Sequence, residues 1–588
     1  MAKEFNLLIR NALIVDGVGS PPVKGGLGIR DDKIVAVGKI KGDAATTLDV
    51  NGLAVSPGWI DVHNHGDLSI AYYPRADGFV RQGITTFVGG QCGNSPAPVG
   101  DWVGNPWMIG AIHREVAPRM FDMDWLHPRD EVDRLHREMY GWGIGWTTMG
   151  GFFSFMESRG LSPNYVPLVG HGEARSVVLG PDYRREATLG EIRKITDLVD
   201  EAMREGCVGV TVGRDYDPGI WAGVDELVSC AKAAAKHDGV YCSHSLRTGH
   251  RKARRPGEPG PLGTKGVLEA IDVGRKAKIG VQISHLGTLF SVTPSDNREV
   301  TEATIRETLK IVDDANKEGL NVSFDVIPHH LAGGISTNPN LAAKLMPWLR
   351  IAGSPEQLGK ALRMPDLRDD IKQKILGGYY YGLNPNITPG WADTEIISVH
   401  RDERFKGKTI AQVAQQLKVN QLEALMLLIM SDPSAKVVRK SGDDWAKLEF
   451  YKHPLCMIGI DTFAVDDTHV GSGPCPQLPS ENSFGGMPHF IQRAVRETNT
   501  LTLEEAVRRL TSLPASKFKI SDRGALKPGY YADVTIFNPK TIADKGTGLE
   551  PRQYPVGVDY VLINGVLVVD KGKHTGKTPG KVLKKRTT

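Results

Sequence analysis

Short apolar runs that end in a polar residue or glycine recur through the middle of the chain, and each has the length of a buried β-strand. Eight such runs end near His65, Cys92, His171, Gly213, His244, His285, Asp325 and Asp461. Patterns with helical spacing separate them, such as the one that begins at the capping box Thr188-Leu189-Gly190-Glu191 and ends at Gly206. Because a (β/α)8 barrel requires eight strands that alternate with helices, the pattern predicts an α/β fold of this type.

Two long stretches interrupt this alternation. Residues 94 to about 165 carry five tryptophans, and residues from about 330 to 454 contain further helical patterns. Both stretches leave the C-terminal ends of predicted strands, so we expect them to overhang the mouth of the barrel as lids or specificity loops. A packed outer subdomain or an oligomer contact is the alternative interpretation.

The two ends of the chain follow a different pattern. Residues 1–55 and 520–588 alternate in the manner of β-strands and contain hairpin turns. We therefore predict a barrel at residues 56–519, with insertions near 94–165 and 330–454, between two β-rich ends.

The first predicted strand ends in two candidate metal ligands, His63 and His65. Side chains two residues apart on an extended chain point to the same side, so these imidazoles project together. Four further candidates end other β-type runs: Cys92, His244, His285 and Asp461. Barrel enzymes draw their catalytic groups from such strand ends, and imidazole with thiolate favours zinc. The sequence therefore predicts a zinc site at this edge of the barrel.

Several segments carry more specific motifs. They are Ser56–Asp67 (SPGWIDVHNHGD), Gly89–Pro98 (GGQCGNSPAP), Gly170–Arg175 (GHGEAR), Ile283–Leu286 (ISHL), and the tail segments 522–534 and 557–583. Together they resemble the amidohydrolase superfamily and, within it, the D-aminoacylase (N-acyl-D-amino-acid deacylase) family. The cysteine-containing segment is the most family-specific, because most amidohydrolases do not use cysteine there. The resemblance implies a metal-dependent hydrolase barrel, with both chain ends joined in one small composite β-sandwich.

The resemblance also implies roles for the candidate residues. A tight zinc site would be formed by Cys92, His244 and His285, and a second, weaker one by His63 and His65. Asp461 would take a proton from the metal-activated water and pass it to the leaving nitrogen. The candidate substrate-binding residues are His171, Arg175, His329 and Asn482. Of these, His171 is either a donor to the carbonyl oxygen of the substrate or part of a structural hydrogen bond.

The predicted substrate pocket departs from the family pattern. In the family, a lysine follows the last ligand histidine by two positions and an arginine precedes the closing aromatic-glycine motif, and both hold the substrate carboxylate. The corresponding residues here are Gly287 and Asn482, and the family's Tyr-Pro-Tyr is Ile327-Pro328-His329. A buried carboxylate without a cationic partner is costly. The sequence therefore predicts a zinc-dependent amidohydrolase that cleaves an amide or carbamate C–N bond in a largely neutral N-acyl compound.

Three alternatives stay open. One is an N-acyl-D-amino-acid deacylase in which Arg175, Arg247 or Lys344 holds the carboxylate. A second is a non-catalytic metal-binding scaffold, although such relatives generally lose the ligands that this chain keeps. The third is a cyclic-ureide or lactam hydrolase, but those enzymes commonly use a carboxylated lysine where this chain has a cysteine.

Composition indicates the class of partner and the cellular compartment to expect. The 588 residues are 40% apolar, ample for a large core, and the net charge of +4 gives no sign of a nucleic-acid or membrane partner. Six scattered cysteines are too few for a disulfide framework and predict a reducing compartment. With no secretory signal pattern and no apolar run of about 18 residues, we expect a cytoplasmic protein with a small-molecule substrate. A homo-oligomer is a candidate assembly.

Overall fold

The fold is seen in a computed structural model, in which parallel strands close into a barrel and a β-rich domain combines both chain ends. It describes residues 4–104, 126–214, 217–245, 263–286, 298–329, 336–337, 339–377, 394–439, 445–468 and 478–585.

Within these ranges the barrel has eight parallel strands, which we number in chain order. They are β1 (Trp59–Asp61), β2 (Ile84–Gly89), β3 (two segments, Asn164–Pro167 and Val169–Gly170), β4 (Gly209–Gly213), β5 (Val240–His244), β6 (Gly280–Ile283), β7 (Val322–Val326) and β8 (Cys456–Ile458). Neighbours in this order pair in parallel, and the two segments of β3 pair with β2 and β4 respectively. The barrel closes where the N–H of Val62 approaches the carbonyl of Ile458 at 3.4 Å. Each strand ends close to one of the eight predicted ends, so the predicted order of the strands is confirmed.

Helices pack around the barrel between the strands. They are Asp77–Val80, Met149–Arg159, His171–Leu179, Leu189–Glu205, Val224–Lys236, Gly263–Ala277, Arg298–Lys317, Trp445–Tyr451, Asn482–Ile491, Leu503–Leu510 and Ser512–Lys517. The predicted capping box is present, since the Thr188 hydroxyl accepts from the N–H of Glu191 and the Glu191 carboxylate accepts from that of Thr188. Among the helices that the structure describes, none combines the length and apolar character needed to cross a membrane.

The two chain ends share one nine-stranded sheet. Its strands are Phe5–Ile14, Val23–Arg30, Lys33–Gly38, Ala44–Asp49, Ala54–Pro57, Val534–Phe537, Val558–Ile563, Val566–Asp570 and Lys573–His574. The ends meet where Val534–Phe537 pairs antiparallel with Ala54–Pro57, directly before β1. The composite domain expected from the resemblance is therefore present, while the exact limits at residues 55 and 520 stay predictions.

In the first interrupting stretch Trp102–Gly104 pairs antiparallel with Leu126–Pro128, and the helix Arg129–Tyr140 follows. Trp142 and Trp146 stack with ring centroids 6.4 Å apart, and Trp146 is buried. Two of the five tryptophans, at positions 107 and 125, lie outside the described residues. The indoles at 142 and 146 therefore contribute to packing of the outer layer.

The second interrupting stretch forms a folded unit. Its helices are Met346–Ala352, Pro355–Ala361, Pro365–Gly377, Ile410–Leu417 and Gln421–Ser431, and Thr394–Ser398 pairs with Lys436–Arg439. One hydrophobic cluster unites it, and every buried member of that cluster lies between residues 341 and 437. A separate core favours the packed outer subdomain over a simple loop.

Candidate metal centre and active site

The six predicted metal and catalytic residues meet at the C-terminal edge of the barrel. Sγ of Cys92 lies 3.2 Å from Nε2 of His63, 3.3 Å from Nδ1 of His244 and 3.5 Å from Nε2 of His285. Nδ1 of His244 and Nε2 of His285 are 3.0 Å apart. All four side chains are buried. One thiolate surrounded by three imidazoles at these separations has the ligand types and the compactness of a zinc site.

A second group adjoins the first through His63. Oδ1 of Asp461 lies 3.2 Å from Nε2 of His65 and 3.5 Å from Nε2 of His63. The ligand atoms of these three residues all lie within 4.8 Å of one another, as do those of His63, Cys92 and His285. His63 therefore belongs to both groups, and the arrangement can hold one metal ion or two.

The backbone is strained at three of these residues. Cys92, His285 and Asp461 have φ angles of +58°, +39° and +47°, in the left-handed region that side chains other than glycine rarely adopt. Each such residue costs on the order of 1–3 kcal/mol, and such strain concentrates at functional sites. Because all three follow barrel strands directly, the strain aims their side chains into the mouth of the barrel.

A carboxylate to which sequence reasoning assigned no role, that of Asp325, holds two of the ligands in place. Oδ1 of Asp325 accepts the backbone N–H of His285 at 2.7 Å and lies 3.5 Å from Nδ1 of His63. The amide of Gln282 donates to Oδ2 of Asp325 at 2.8 Å, so both carboxylate oxygens have a defined partner. A carboxylate behind a ligand imidazole fixes its orientation and raises its basicity. The signal for this role was visible, since Asp325 ends the seventh predicted strand.

Burial and charge shift the pKa values of this cluster in opposite directions. Burial raises the pKa of the Cys92 thiol, but the imidazoles of His63 and His244 outweigh it and hold that pKa well below its usual range. Burial likewise opposes ionisation of Asp461, yet the charge on His63 and the contact with His65 keep the pKa of its carboxyl below its usual range. A thiolate and a carboxylate at the centre of the cluster provide the negative charge that a divalent cation requires.

His171 and Arg175 meet a partner outside the metal cluster. Nε2 of His171 lies 2.7 Å from Oε1 of Glu226, and the guanidinium of Arg175 donates to Oε2 at 2.5 Å. All three side chains are buried. The Arg175 guanidinium also donates to the carbonyls of Tyr183 and Arg185. Arg175 is thus engaged in holding the protein together. Nδ1 of His171 and Nε of Arg175 are the atoms of this pair without a hydrogen-bond partner among the described residues.

His329 and Asn482 lie together, beyond the ends of β7 and β8. Oδ1 of Asn482 accepts the backbone N–H of His329 at 3.1 Å. Both residues are buried, and Nδ2 of Asn482 has no partner within the described ranges. Gly287 and Arg247, named above for the carboxylate anchor, lie outside the described residues.

Sequence reasoning missed two buried carboxyl groups, Asp67 and Glu173. Burial raises the pKa of Asp67 to about 7. Burial, helped by the charge of Asp67, raises the pKa of Glu173 to about 8. Each stands two residues after a predicted site histidine, at His65 and His171, and that shared spacing was the available signal. At neutral pH the Glu173 carboxyl is therefore mostly protonated.

We expect His285→Ala to lose both bound zinc and hydrolytic activity, because it removes one imidazole from the thiolate-centred group. Zinc content measured by mass spectrometry and turnover of an N-acyl substrate test this expectation. His400→Ala, on a side chain that is 62% exposed, is the matched control. A fully active His285→Ala protein would mean that the site is assigned wrongly.

We also expect Glu173→Gln to change how stability depends on pH. The folded-state pKa of about 8 lies above the ordinary value of 4.5, so the folded wild type loses stability as pH rises from about 4.5 to 8. Glutamine carries no such charge. The free energy of unfolding of the variant should therefore exceed that of wild type by about 2–5 kcal/mol at pH 9 and be almost equal to it at pH 4.5. Urea unfolding at both pH values measures this, with Glu403→Gln on a 74% exposed side chain as control. Equal differences at the two pH values would contradict it.

The chain is similar to known proteins along its full length. A model of the amidohydrolase family matches residues 459–569. The chain is 26% identical over 587 residues to D-aminoacylase of Alcaligenes xylosoxydans xylosoxydans. This alignment covers 99% of this chain and 98% of that protein. N-acyl-D-glutamate deacylase of the same organism is 26% identical over 586 residues, or 100% of this chain and 98% of that protein.

Solved structures show the same likeness. A crystal structure of N-acyl-D-glutamate deacylase from Bordetella bronchiseptica, complexed with zinc and a phosphonate inhibitor, matches 99% of both chains with 25% identity and a TM-score of 0.67. A D-aminoacylase with a binuclear metal centre matches 99% of this chain and 100% of that one, with 24% identity and a TM-score of 0.68. The predicted barrel with a small β-sandwich is thereby confirmed. From its ligand cluster and this full-length similarity, the chain is a metal-dependent hydrolase of C–N bonds other than peptide bonds, and it resembles the D-aminoacylases.

Proposed function

We propose that this amidohydrolase uses zinc to cleave an amide or carbamate C–N bond in a largely neutral N-acyl compound. The observation that carries the proposal lies at Asn482, where an amide stands in place of the family's arginine and the ionised carboxylate of Asp544 lies nearby. The substrate is a small molecule, as in the relatives named above.

The residues at the site divide the chemistry between them. Cys92, His244 and His285, with His63 beside them, have the donor atoms and spacing that fit zinc. When bound, zinc would polarise the scissile carbonyl and lower the pKa of a water molecule. Asp461 is held ionised and is therefore ready to accept the proton of the attacking water. It then returns that proton to the nitrogen, because an amine leaves readily only when protonated.

The charge around Asn482 argues against a substrate carboxylate at this edge. Glu481 precedes it and is buried, and burial raises the pKa of its carboxyl. Oδ2 of Asp544 lies 2.7 Å from Nε2 of His329. The backbone N–H of His329 donates a hydrogen bond to Oδ1 of Asn482. The neighbouring His329 and His489 outweigh burial and hold the pKa of Asp544 below its usual range, so this carboxylate is ionised. A further carboxylate from the substrate would meet like charge here.

The second candidate function is an N-acyl-D-amino-acid deacylase, the activity for which the full-length relatives are named. The position of Lys447 favours the deacylase. Lys447 is buried, and its ammonium donates to the carbonyl of Pro328 at 2.7 Å, next to His329. An ammonium at this place could hold a carboxylate, whereas Arg175 is already engaged with Glu226. Substitution of Lys447 therefore tests which of the two functions the protein has.

We expect the zinc-loaded protein to hydrolyse an N-acyl-D-amino acid amide at least about tenfold faster than the matching acid, since the acid brings a carboxylate close to Asp544. Values of kcat/KM for the two compounds give the answer directly. A preference for the acid would contradict the proposal, and loss of that preference in Lys447→Met would then establish the deacylase. Bound zinc without hydrolysis of any amide would favour the non-catalytic scaffold.

We expect Asp461→Asn to lower kcat about 10²–10⁴-fold, because the amide cannot carry the proton. Asparagine tolerates the left-handed backbone at this position, and the group around Cys92 stays complete, so zinc content should stay close to that of wild type. Turnover and metal analysis of the same samples measure both effects. Asp467→Asn, on an exposed residue of the same segment, is the control. Unchanged kcat in Asp461→Asn would exclude the proposed proton transfer.

We further propose a cytoplasmic location. The five cysteines within the described ranges are buried thiols that form no disulfide with one another, which suits a reducing compartment. A homo-oligomeric assembly stays a prediction.

A further inference from the structure

A second cluster of metal-ligating side chains lies away from the thiolate-centred group. It consists of His329, beyond β7, His489, on the helix Asn482–Ile491, and Asp544, in the C-terminal segment. One ligand atom from each lies within 4.8 Å of the other two. We propose that these three residues form an additional site for a divalent cation such as zinc, with a fourth position open to water.

The contacts between these side chains are short but poorly explained by protein hydrogen bonds. Oδ2 of Asp544 lies 2.7 Å from Nε2 of His329 and 3.8 Å from Nδ1 of His489. Nevertheless, Nε2 of His329 is a buried atom without an aligned hydrogen-bond partner in the described part of the chain. The two imidazole rings lie side by side and tilted, with centroids 4.0 Å apart and an angle of 30° between their planes. Two imidazoles and one carboxylate that converge on a point are a common set of three zinc ligands.

The carboxylate of Asp544 is held in the orientation that a ligand needs. Its Oδ1 accepts the N–H of Gly546 at 2.9 Å, and its backbone N–H donates to the side chain of Gln492 at 3.1 Å. Oδ2 is thereby left facing the two imidazoles. Gly485 makes the approach to the helix possible, because a Cβ there would collide with Oδ1 of Asp544. Fixed outer contacts of this kind are typical of residues that bind metals.

The helix that carries His489 is distorted beside this residue. It contains Pro488 in its interior and passes into a π-helical turn at Gln492–Glu497. Such distortions are frequent at functional sites. The backbone next to His489 is therefore not that of a regular helix.

The charges around the cluster suit a divalent cation. Asp544 is ionised, and Glu481 lies close enough for its carboxyl to sense both His329 and Asp544. The ionised carboxylate of Asp544 supplies negative charge for such an ion, and a bound ion would offset that charge. The three ligands come from segments far apart in sequence, so a bound ion would connect the C-terminal segment to the edge of the barrel.

Cobalt substitution tests the proposal on the full-length protein, independently of hydrolysis. Cobalt bound at Cys92 gives a thiolate-to-metal absorption band, whereas a site without sulfur contributes no such band. We expect wild type to take up one equivalent of Co²⁺ more than His489→Ala, with the thiolate band of equal intensity in both. Asp544→Asn, which is nearly isosteric, should show the same loss of one equivalent.

The matched control is His237→Ala. Nε2 of His237 lies 2.9 Å from Oδ1 of Asp200, and the His237 side chain is 23% exposed against 22% for His489, but this pair has no second imidazole. The control should bind as many equivalents as wild type. Equal uptake by wild type, His489→Ala and Asp544→Asn would overturn the proposed site. Because the readout is metal content, failure of the proposed hydrolysis would leave this result unchanged.

Discussion

The first and eighth strands of the barrel meet beside His63, and the metal cluster depends on this contact. Asp461 donates its backbone N–H to the carbonyl of His63 at 2.8 Å, and Ile460 donates to the carboxylate of Asp61 at 3.0 Å. Gly459 permits the approach, because a Cβ there would collide with the side chain of His63. Closure thus places a carboxylate from the end of the chain's last barrel strand against two imidazoles from its first.

The same closure concentrates charge among buried side chains at the edge of the barrel. A thiolate, several imidazoles and two carboxylates are buried together, and three of the backbone positions that present them are strained. An isolated ion would be expensive in such surroundings, and each group is tolerated only because opposite charges surround it. Stability is given up locally so that the ligands are already arranged when the metal arrives.

Much of this arrangement could be predicted from local sequence. The strand ends were visible because each combines an apolar run with a chemically distinctive last residue, as at Cys92 and His244. The partners of those residues were harder to predict. Glu226 and Asp544 lie in segments without such a pattern, and they reach His171 and His329 only through packing between distant elements. Contacts between distant elements cannot be predicted from the spacing of residues in the sequence. A strand can be predicted, because its alternating side chains produce a local pattern.

The separate core of the second interrupting stretch bears on how the chain folds. Residues 327–455 lie between β7 and β8. The last strand can therefore pair with β7 only when the two ends of this long segment come together. Loop closure over such a length is slow unless the segment becomes compact by itself. A hydrophobic cluster confined to residues 341–437 allows that, because the insertion can collapse as a unit and shorten the effective distance between the two strands. The insertion can therefore become compact around its own core before β8 completes the barrel.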